Sequence, residues 1–171
     1  MKHLLIIIFF LFISCNKDYQ YNFTNGKGTA TKDNVGWAAE AEAYYYDGSF
    51  DIDLYQKNKD GVINDHIRFS IPFPPTLGIH ELKKHHEDSS YYFNSNFLKR
   101  DGSNIIALYM LNEPSNSEIN IISYNPQTKW LSATFNTSYY RDTSYSVITR
   151  LPYPDSLKFT NGKIDVLLMG I

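Results

Sequence analysis

The segment 78–88, GIHELKKHHED, contains the residue types in this chain that are best suited to metal chemistry. A zincin helix carries His-Glu-x-x-His, which places both imidazoles on one face with the glutamate beside them as a base. Here Lys84 stands where the second histidine is required, and His85 follows one residue later. Since each helical residue turns the chain by about 100°, that imidazole would point away from the metal. We therefore reject a zincin.

A looser metal site is the remaining possibility for this segment, because imidazole and carboxylate ligands suit zinc or nickel. It would be built from His80, His85, His86 and Asp88. The alternative is a solvated polar loop between two strands, and we adopt it. We therefore expect no metal and no cofactor, and keep only His85 and His86 as candidate ligand-facing residues.

Patterns typical of other enzyme classes are missing from the sequence. It contains no Gly-x-Ser-x-Gly elbow and no phosphate-cradling loop. Asp51 and Asp53 alternate with apolar residues, which is the pattern of acids on the solvent side of a strand, whereas glycoside hydrolysis needs two carboxyls held across a cleft. The sequence therefore predicts a binding or envelope-structural role rather than catalysis.

The single cysteine, Cys15, directly follows the apolar run Leu4–Ile13 and Ser14. That run is too short to span a bilayer, which takes about 20 residues, and after its basic start it is typical of a secretory signal. Phe12-Ile13-Ser14-Cys15 resembles a bacterial lipobox. The resemblance implies that residues 1–14 are removed and that Cys15 is acylated, so that its acyl chains hold the protein in the outer membrane.

The rest of the chain is predicted to form a tether and one domain. Residues 15–33 are polar and include Asn25-Gly26-Lys27-Gly28, which favours a flexible linker, and residues 34–171 have the length of one domain. With Cys15 acylated, no thiol remains for a disulfide or a nucleophile. The net charge of −2 provides no electrostatic reason to expect a nucleic acid partner.

A period of two dominates the sequence from Trp37 onward. WAAEAEAYYY places Trp37 and Ala41 on one face and Glu40 and Glu42 on the other, and SFDIDLYQ and HIRFSIPF repeat the alternation. Short runs rich in Ile, Val, Tyr, Phe and Thr predict an all-β domain of about nine strands with little helix. We expect a single antiparallel β-sandwich, with an up-and-down β-barrel as the alternative. Trp37 and Phe135 are predicted core residues, and a helical turn is possible only around residues 78–87.

Pairs of turn-forming residues separate the apolar runs. Such pairs adopt the positive φ angles that tight hairpins need. They are Asp47-Gly48, Asp60-Gly61, Asp101-Gly102 and Asn161-Gly162, with Asn125-Pro126 as a further turn.

Aromatic residues make up 16% of the chain, and several tyrosines are adjacent in sequence. Neighbours on a strand point to opposite faces, so each tyrosine pair must place one ring outward. Outward rings could stack on sugars or meet a protein partner, whereas the alternative is cross-strand pairing that only stabilises the sheet. The tyrosines that we retain as candidate ligand-facing residues are Tyr44, Tyr46 and Tyr139.

Several motifs together resemble small Bacteroidota lipoproteins of unknown function. These are an early Trp-Ala strand, a Gly-x-x-x-Leu segment, a strand ending in a small residue followed by Thr-Phe, and a closing Thr-Asn-Gly-Lys hairpin. They fall on Trp37-Ala38, Gly78–Leu82, Ala133-Thr134-Phe135 and Thr160–Lys163. The family usually has glycine at the position of Ala133. The resemblance covers about residues 37–168 and assigns no catalytic residue.

Together these features predict a lipid-anchored extracytoplasmic protein of the cell envelope. Its partners would be the membrane, through the acyl chains on Cys15, and an envelope protein or a glycan. A carbohydrate-binding or glycan-handling accessory lipoprotein is the alternative function. The predicted localisation is the outer membrane, and the sequence is compatible with either its cell-surface side or its periplasmic side.

Overall fold

The computed structural model describes residues 25–46, 48–84, 93–113, 115–144 and 153–170. Within these ranges the protein is all-β, which confirms the predicted fold class. Ten strands replace the expected nine: β1 (Gly26–Lys32), β2 (Val35–Tyr46), β3 (Ser49–Lys57), β4 (Ile63–Pro72), β5 (Gly78–Glu81), β6 (Asn94–Asp101), β7 (Asn104–Leu111), β8 (Glu118–Tyr124), β9 (Trp130–Arg141) and β10 (Ser156–Met169).

The strands belong to one continuous, mixed sheet that wraps around a single core. Antiparallel pairings run from β1 through β2, β3, β4, β6, β7, β9 and β10 and return to β1, so these eight strands form a closed circuit. β8 pairs with β9, and β5 pairs with β8. A short parallel contact between β10 and β2 makes the sheet mixed. The result is a sandwich-like arrangement in which most strands have neighbours on both edges.

The core is filled by aromatic and branched side chains from alternate strand positions. Trp37 and Phe135 are both buried, as predicted, and the Trp37 ring meets Phe159 edge-on at 5.3 Å between ring centroids. Edge-to-face rings at this separation stabilise a core beyond the area that they bury. The largest fully buried side chains are Tyr109, Tyr139, Phe50, Phe69, Phe97, Phe135 and Phe159.

Three predicted hairpins are confirmed and one is wrong. Gly48, Gly61 and Gly102 have positive φ angles between consecutive strands. Asn161-Gly162 instead lies inside β10, where the register with β9 shifts and Asn161 has a φ of 53°. A Cβ on Gly162 would come within 2.4 Å of the Phe135 ring. The glycine therefore permits close packing at a β-bulge. The preceding residue of this bulge, Asn161, has the left-handed backbone conformation.

The predicted tether extends too far into the domain. Residues 26–32 form β1, which pairs with β2 and β10, and Asp33 and Asn34 form the following turn with φ angles of 47° and 68°. A Cβ on Gly26 would lie 2.7 Å from the Val166 Cα atom. The glycines that suggested a linker thus allow β1 to pack closely against its neighbours.

The region expected to allow a helical turn contains a strand. Residues 78–81 form β5, which pairs with β8, while residues 85–87 of the predicted range lie outside the described residues. Across the part of the chain that the structure describes, no helix is long and apolar enough to cross a membrane.

Candidate functional site

A continuous row of polar side chains crosses the outer face of the sheet. Successive strands contribute directly opposite residues, whose Cβ atoms lie about 4.5–5.5 Å apart in such pairs. All lie on the side of their strands that does not face the core. The row runs through Ser132, Asp165, Lys27, Glu40, Tyr55 and His66. It therefore brings residues from six strands onto one face of the sheet.

Asp53 is the centre of a buried charge network beside this row. Its carboxylate accepts hydrogen bonds from His66 Nε2 at 2.6 Å, from Arg68 Nε at 2.7 Å and Nη2 at 3.0 Å, and from the Tyr55 hydroxyl at 3.0 Å. Asp53 is only 4% exposed. The prediction that Asp53 faces solvent is therefore wrong, because the neighbouring side chains cover it on the outer face.

The hydrogen bonds of His66 determine its protonation state. Arg100 Nε lies 3.1 Å from His66 Nδ1, and a guanidinium can only donate. Nδ1 must therefore accept, so the imidazole is neutral and its Nε2–H donates to Asp53. Burial lowers the pKa of His66 and outweighs the opposite effect of Asp53, while the charges of Arg100 and Arg68 lower it further.

At neutral pH Asp53 is ionised and Tyr55 is uncharged. Burial would raise the pKa of Asp53, but hydrogen bonds from His66 and Arg68 hold it well below its ordinary value. Burial and the adjacent Asp53 carboxylate raise the pKa of Tyr55 far above its usual range.

The network does not have the geometry of a catalytic acid–base pair. A histidine bonded to an aspartate resembles part of a hydrolase triad, in which one imidazole nitrogen faces the nucleophile. His66, however, is fully buried, and both of its ring nitrogens are occupied by Asp53 and Arg100. The arrangement therefore stabilises the sheet and positions Tyr55 and Arg100.

Two grooves lie on this outer surface. One, of about 490 Å³, is lined by residues that include Tyr55, Lys57 and Arg100. The other, of about 340 Å³, is lined by Gly26, Lys27, Ala39, Glu40, Trp130 and Asp165. Lys57 forms an ion pair with Glu40, so the two grooves adjoin the same charge pair. Both are open depressions on the surface.

An aromatic strip lies at one end of this face. It consists of the rings of Trp130, Tyr44 and Tyr46 together with the aliphatic side chains of Leu167 and Met169. Trp130 lies opposite Leu167, and Met169 lies beside Tyr44. Trp130, Tyr44 and Tyr46 are 44%, 46% and 75% exposed. The expectation that Tyr44 and Tyr46 point outward is confirmed. Trp130 was not predicted, although its alternation with buried Leu131 would have placed it outside.

Tyr139 is not ligand-facing, contrary to the prediction. It is fully buried, and its hydroxyl lies 2.6 Å from the hydroxyl of Ser95. Burial raises the pKa of Tyr139 to about 12. The outward member of the pair is Tyr140, whose ring lies 5.5 Å from the ammonium group of Lys84. Adjacent tyrosines predict one outward ring, but not which one.

The histidine segment is described only in part. His80 Nε2 hydrogen-bonds the Thr76 carbonyl at 2.7 Å, and its ring stacks on Phe93 at 3.8 Å. His85, His86 and Asp88 lie outside the described residues. Among the residues that are described, no group of three or more His, Cys, Asp or Glu side chains is arranged to hold a metal.

A second charge cluster closes one end of the core. The Asp65 carboxylate binds the Lys32 ammonium at 2.5 Å and the Lys99 ammonium at 2.6 Å. Lys32 also lies 4.9 Å from the centroid of the Phe97 ring. A buried carboxylate is tolerated when it is paired in this way. The cluster thus lies between the aromatic core and solvent. Both oxygens of the Asp65 carboxylate are paired with ammonium groups.

The fold and this surface define an all-β protein that carries its exposed aromatic and charged groups on the outside of the sheet. The chain matches no protein-family model, no curated protein and no solved structure. The similarity of its motifs to Bacteroidota lipoproteins therefore stays a prediction.

Proposed function

We propose that this protein is a lipid-anchored extracytoplasmic β-sandwich protein of the outer membrane, with a binding or envelope-structural role. The anchor is supported by the apolar run Leu4–Ile13 directly before Cys15. The observation that carries the binding role is the exposure of Trp130, Tyr44 and Tyr46 on one outer surface beside a groove. Exposed aromatic rings are common anchors for partners.

Replacing Cys15 with alanine is expected to abolish stable membrane association and to leave the domain folded. The substitution removes the acylated thiol, and two acyl chains are needed for a stable anchor. Cys15 precedes the first described strand, so no core contact of the described domain is lost. Cell fractionation, with mass spectrometry of the N-terminal peptide, measures the result.

The matched control is Lys17→Ala, which lies two residues after the cysteine and preserves the lipobox-like sequence. We expect this variant to remain acylated and in the membrane fraction. An unacylated parent chain, or a Cys15→Ala variant that fractionates with the membrane like the parent, would contradict the lipid anchor.

A carbohydrate-binding role is the second candidate, and the groove at Trp130 favours it. The exposed ring lies in a groove whose lining residues also include Glu40 and Asp165. An aromatic face can pack on a sugar ring, while carboxylates accept hydrogen bonds from hydroxyl groups. The residues that form the groove are thus compatible with a polyhydroxylated ligand.

A glycan array separates the two candidates. Enrichment on a polysaccharide that is lost in Trp130→Ala and kept in Tyr140→Ala would support the carbohydrate role, because Tyr140 is an exposed aromatic residue near the other end of β9. A specific protein recovered from envelope extracts, without glycan enrichment, would support an envelope-structural role.

A further inference from the structure

The aromatic strip lies where the chain enters the domain. The Asn25 carbonyl accepts a hydrogen bond from the Leu167 N–H at 2.7 Å, and Leu167 lies opposite Trp130. Gly26 lines the same groove as Trp130. Asn25, the first described residue, is therefore bonded to the sheet beside the exposed tryptophan.

The length of this segment limits how far the strip can be from the lipid. Asn25 follows Cys15 by 10 residues (25 − 15). A chain of that length spans at most about 35 Å, whatever its conformation. If Cys15 carries the acyl chains, Asn25 and the aromatic strip beside it lie within about 35 Å of the lipid. Tyr140 lies about 33 Å further along β9.

The chemistry of the strip suits the headgroup region of a bilayer. Tryptophan and tyrosine are enriched there because their rings are apolar and their N–H and O–H groups are polar. Lys27, in the groove, and Lys129, in the turn before Trp130, supply ammonium groups that can approach lipid phosphates. Two of the nearby acids have partners: Asp165 accepts a hydrogen bond from Ser132, and Glu40 pairs with Lys57.

We propose that the aromatic strip docks on the headgroup region of the same membrane that holds Cys15. The domain then rests on the bilayer with Trp130, Tyr44 and Tyr46 in the interface, and the opposite end of β9 faces away from the membrane. This inference rests on the proposed lipid anchor. It assigns the strip to a lipid surface rather than to a glycan.

Tryptophan fluorescence tests the docking directly. The chain has two tryptophans, and Trp37 is only 4% exposed, so quenching from water reports on Trp130. The acylated full-length protein is reconstituted into phosphatidylethanolamine–phosphatidylglycerol vesicles, with part of the lipid brominated close to the headgroups. We expect quenching by the brominated lipid and a several-fold loss of acrylamide quenching, compared with the Cys15→Ala chain in buffer.

A matched control moves the reporter to the other end of the same strand. In the double variant Trp130→Phe, Tyr140→Trp, the new indole replaces an exposed ring near the end of β9. Both positions are exposed, so we expect the fold to be retained. We expect this indole to stay open to acrylamide and to be unaffected by the brominated lipid.

Three outcomes would overturn the proposal, and they are distinguishable. If the protein carries no acyl chains and does not bind the vesicles, the lipid anchor and the docking both fail. If the protein is anchored but acrylamide reaches Trp130 as freely as it does in buffer, only the docking fails. If the anchored protein gains protection of Trp130 only when a polysaccharide is added, the strip is a glycan site.

Discussion

Replacing Asp53 with alanine is expected to lower the free energy of unfolding by about 3–5 kcal/mol, the usual cost of removing one partner from a buried charge pair. The carboxylate is the shared acceptor for His66, Arg68 and Tyr55. His66 is fully buried and would keep an N–H without an acceptor. Chemical denaturation followed by circular dichroism measures the loss.

The matched control is Asp51→Ala, on the same strand and the same face. Asp51 is half-buried and accepts a hydrogen bond from the Ser70 hydroxyl, so its loss should cost about 1 kcal/mol. Equal destabilisation by the two substitutions would show that the network around Asp53 has no special role. A clearly larger loss for Asp53→Ala than for Asp51→Ala would support the stabilising role of this network.

Acidification is expected to destabilise the protein in two stages. The pKa values of His66 and Asp53 are both lowered by folding, so the unfolded chain binds protons that the folded chain does not. The free energy of unfolding should therefore fall below about pH 6.5 as His66 protonates in the unfolded chain, and again below about pH 4 as Asp53 does. Above pH 7 neither group makes the free energy of unfolding depend on pH.

Denaturant titrations between pH 7.5 and pH 3 measure these stages. His66→Gln should flatten the change between pH 7 and pH 5, because this variant lacks the buried imidazole whose pKa is lowered by folding. A parent protein that gains stability from pH 7 to pH 5 would contradict the neutral, buried state of His66.

Several features of the fold could be predicted from sequence because they depend on neighbouring residues. Alternation with a period of two separates the two faces of a strand, which is why the buried positions of Trp37 and Phe135 were predicted. Turn chemistry is also local, and Gly61 and Gly102 have the expected positive φ angles. The outward position of Trp130 follows from the same alternation.

The features that were predicted wrongly depend on packing between distant segments. Alternation assigns Asp53 to the outer face, but it does not show that His66 and Arg68 cover that carboxylate. Asn161-Gly162 has the sequence of a turn, yet it lies within a strand that pairs with β9, where the Phe135 ring lies against Gly162. A local pattern determines the face of a strand on which a side chain lies, whereas its burial depends on which other strands the chain brings beside it.

The sequence by itself determined the all-β class, much of the core and the position of the only cysteine, because each can be read from a short window of residues. Only the tertiary structure decided that β1 belongs to the domain and that Tyr139 points inward. It also showed that Tyr44 and Trp130 lie at the end where the chain enters. These two side chains are 86 positions apart (130 − 44) and share a surface because β10 lies between β9 and β2. That proximity is created by hydrogen bonding between strands, which no single stretch of sequence encodes.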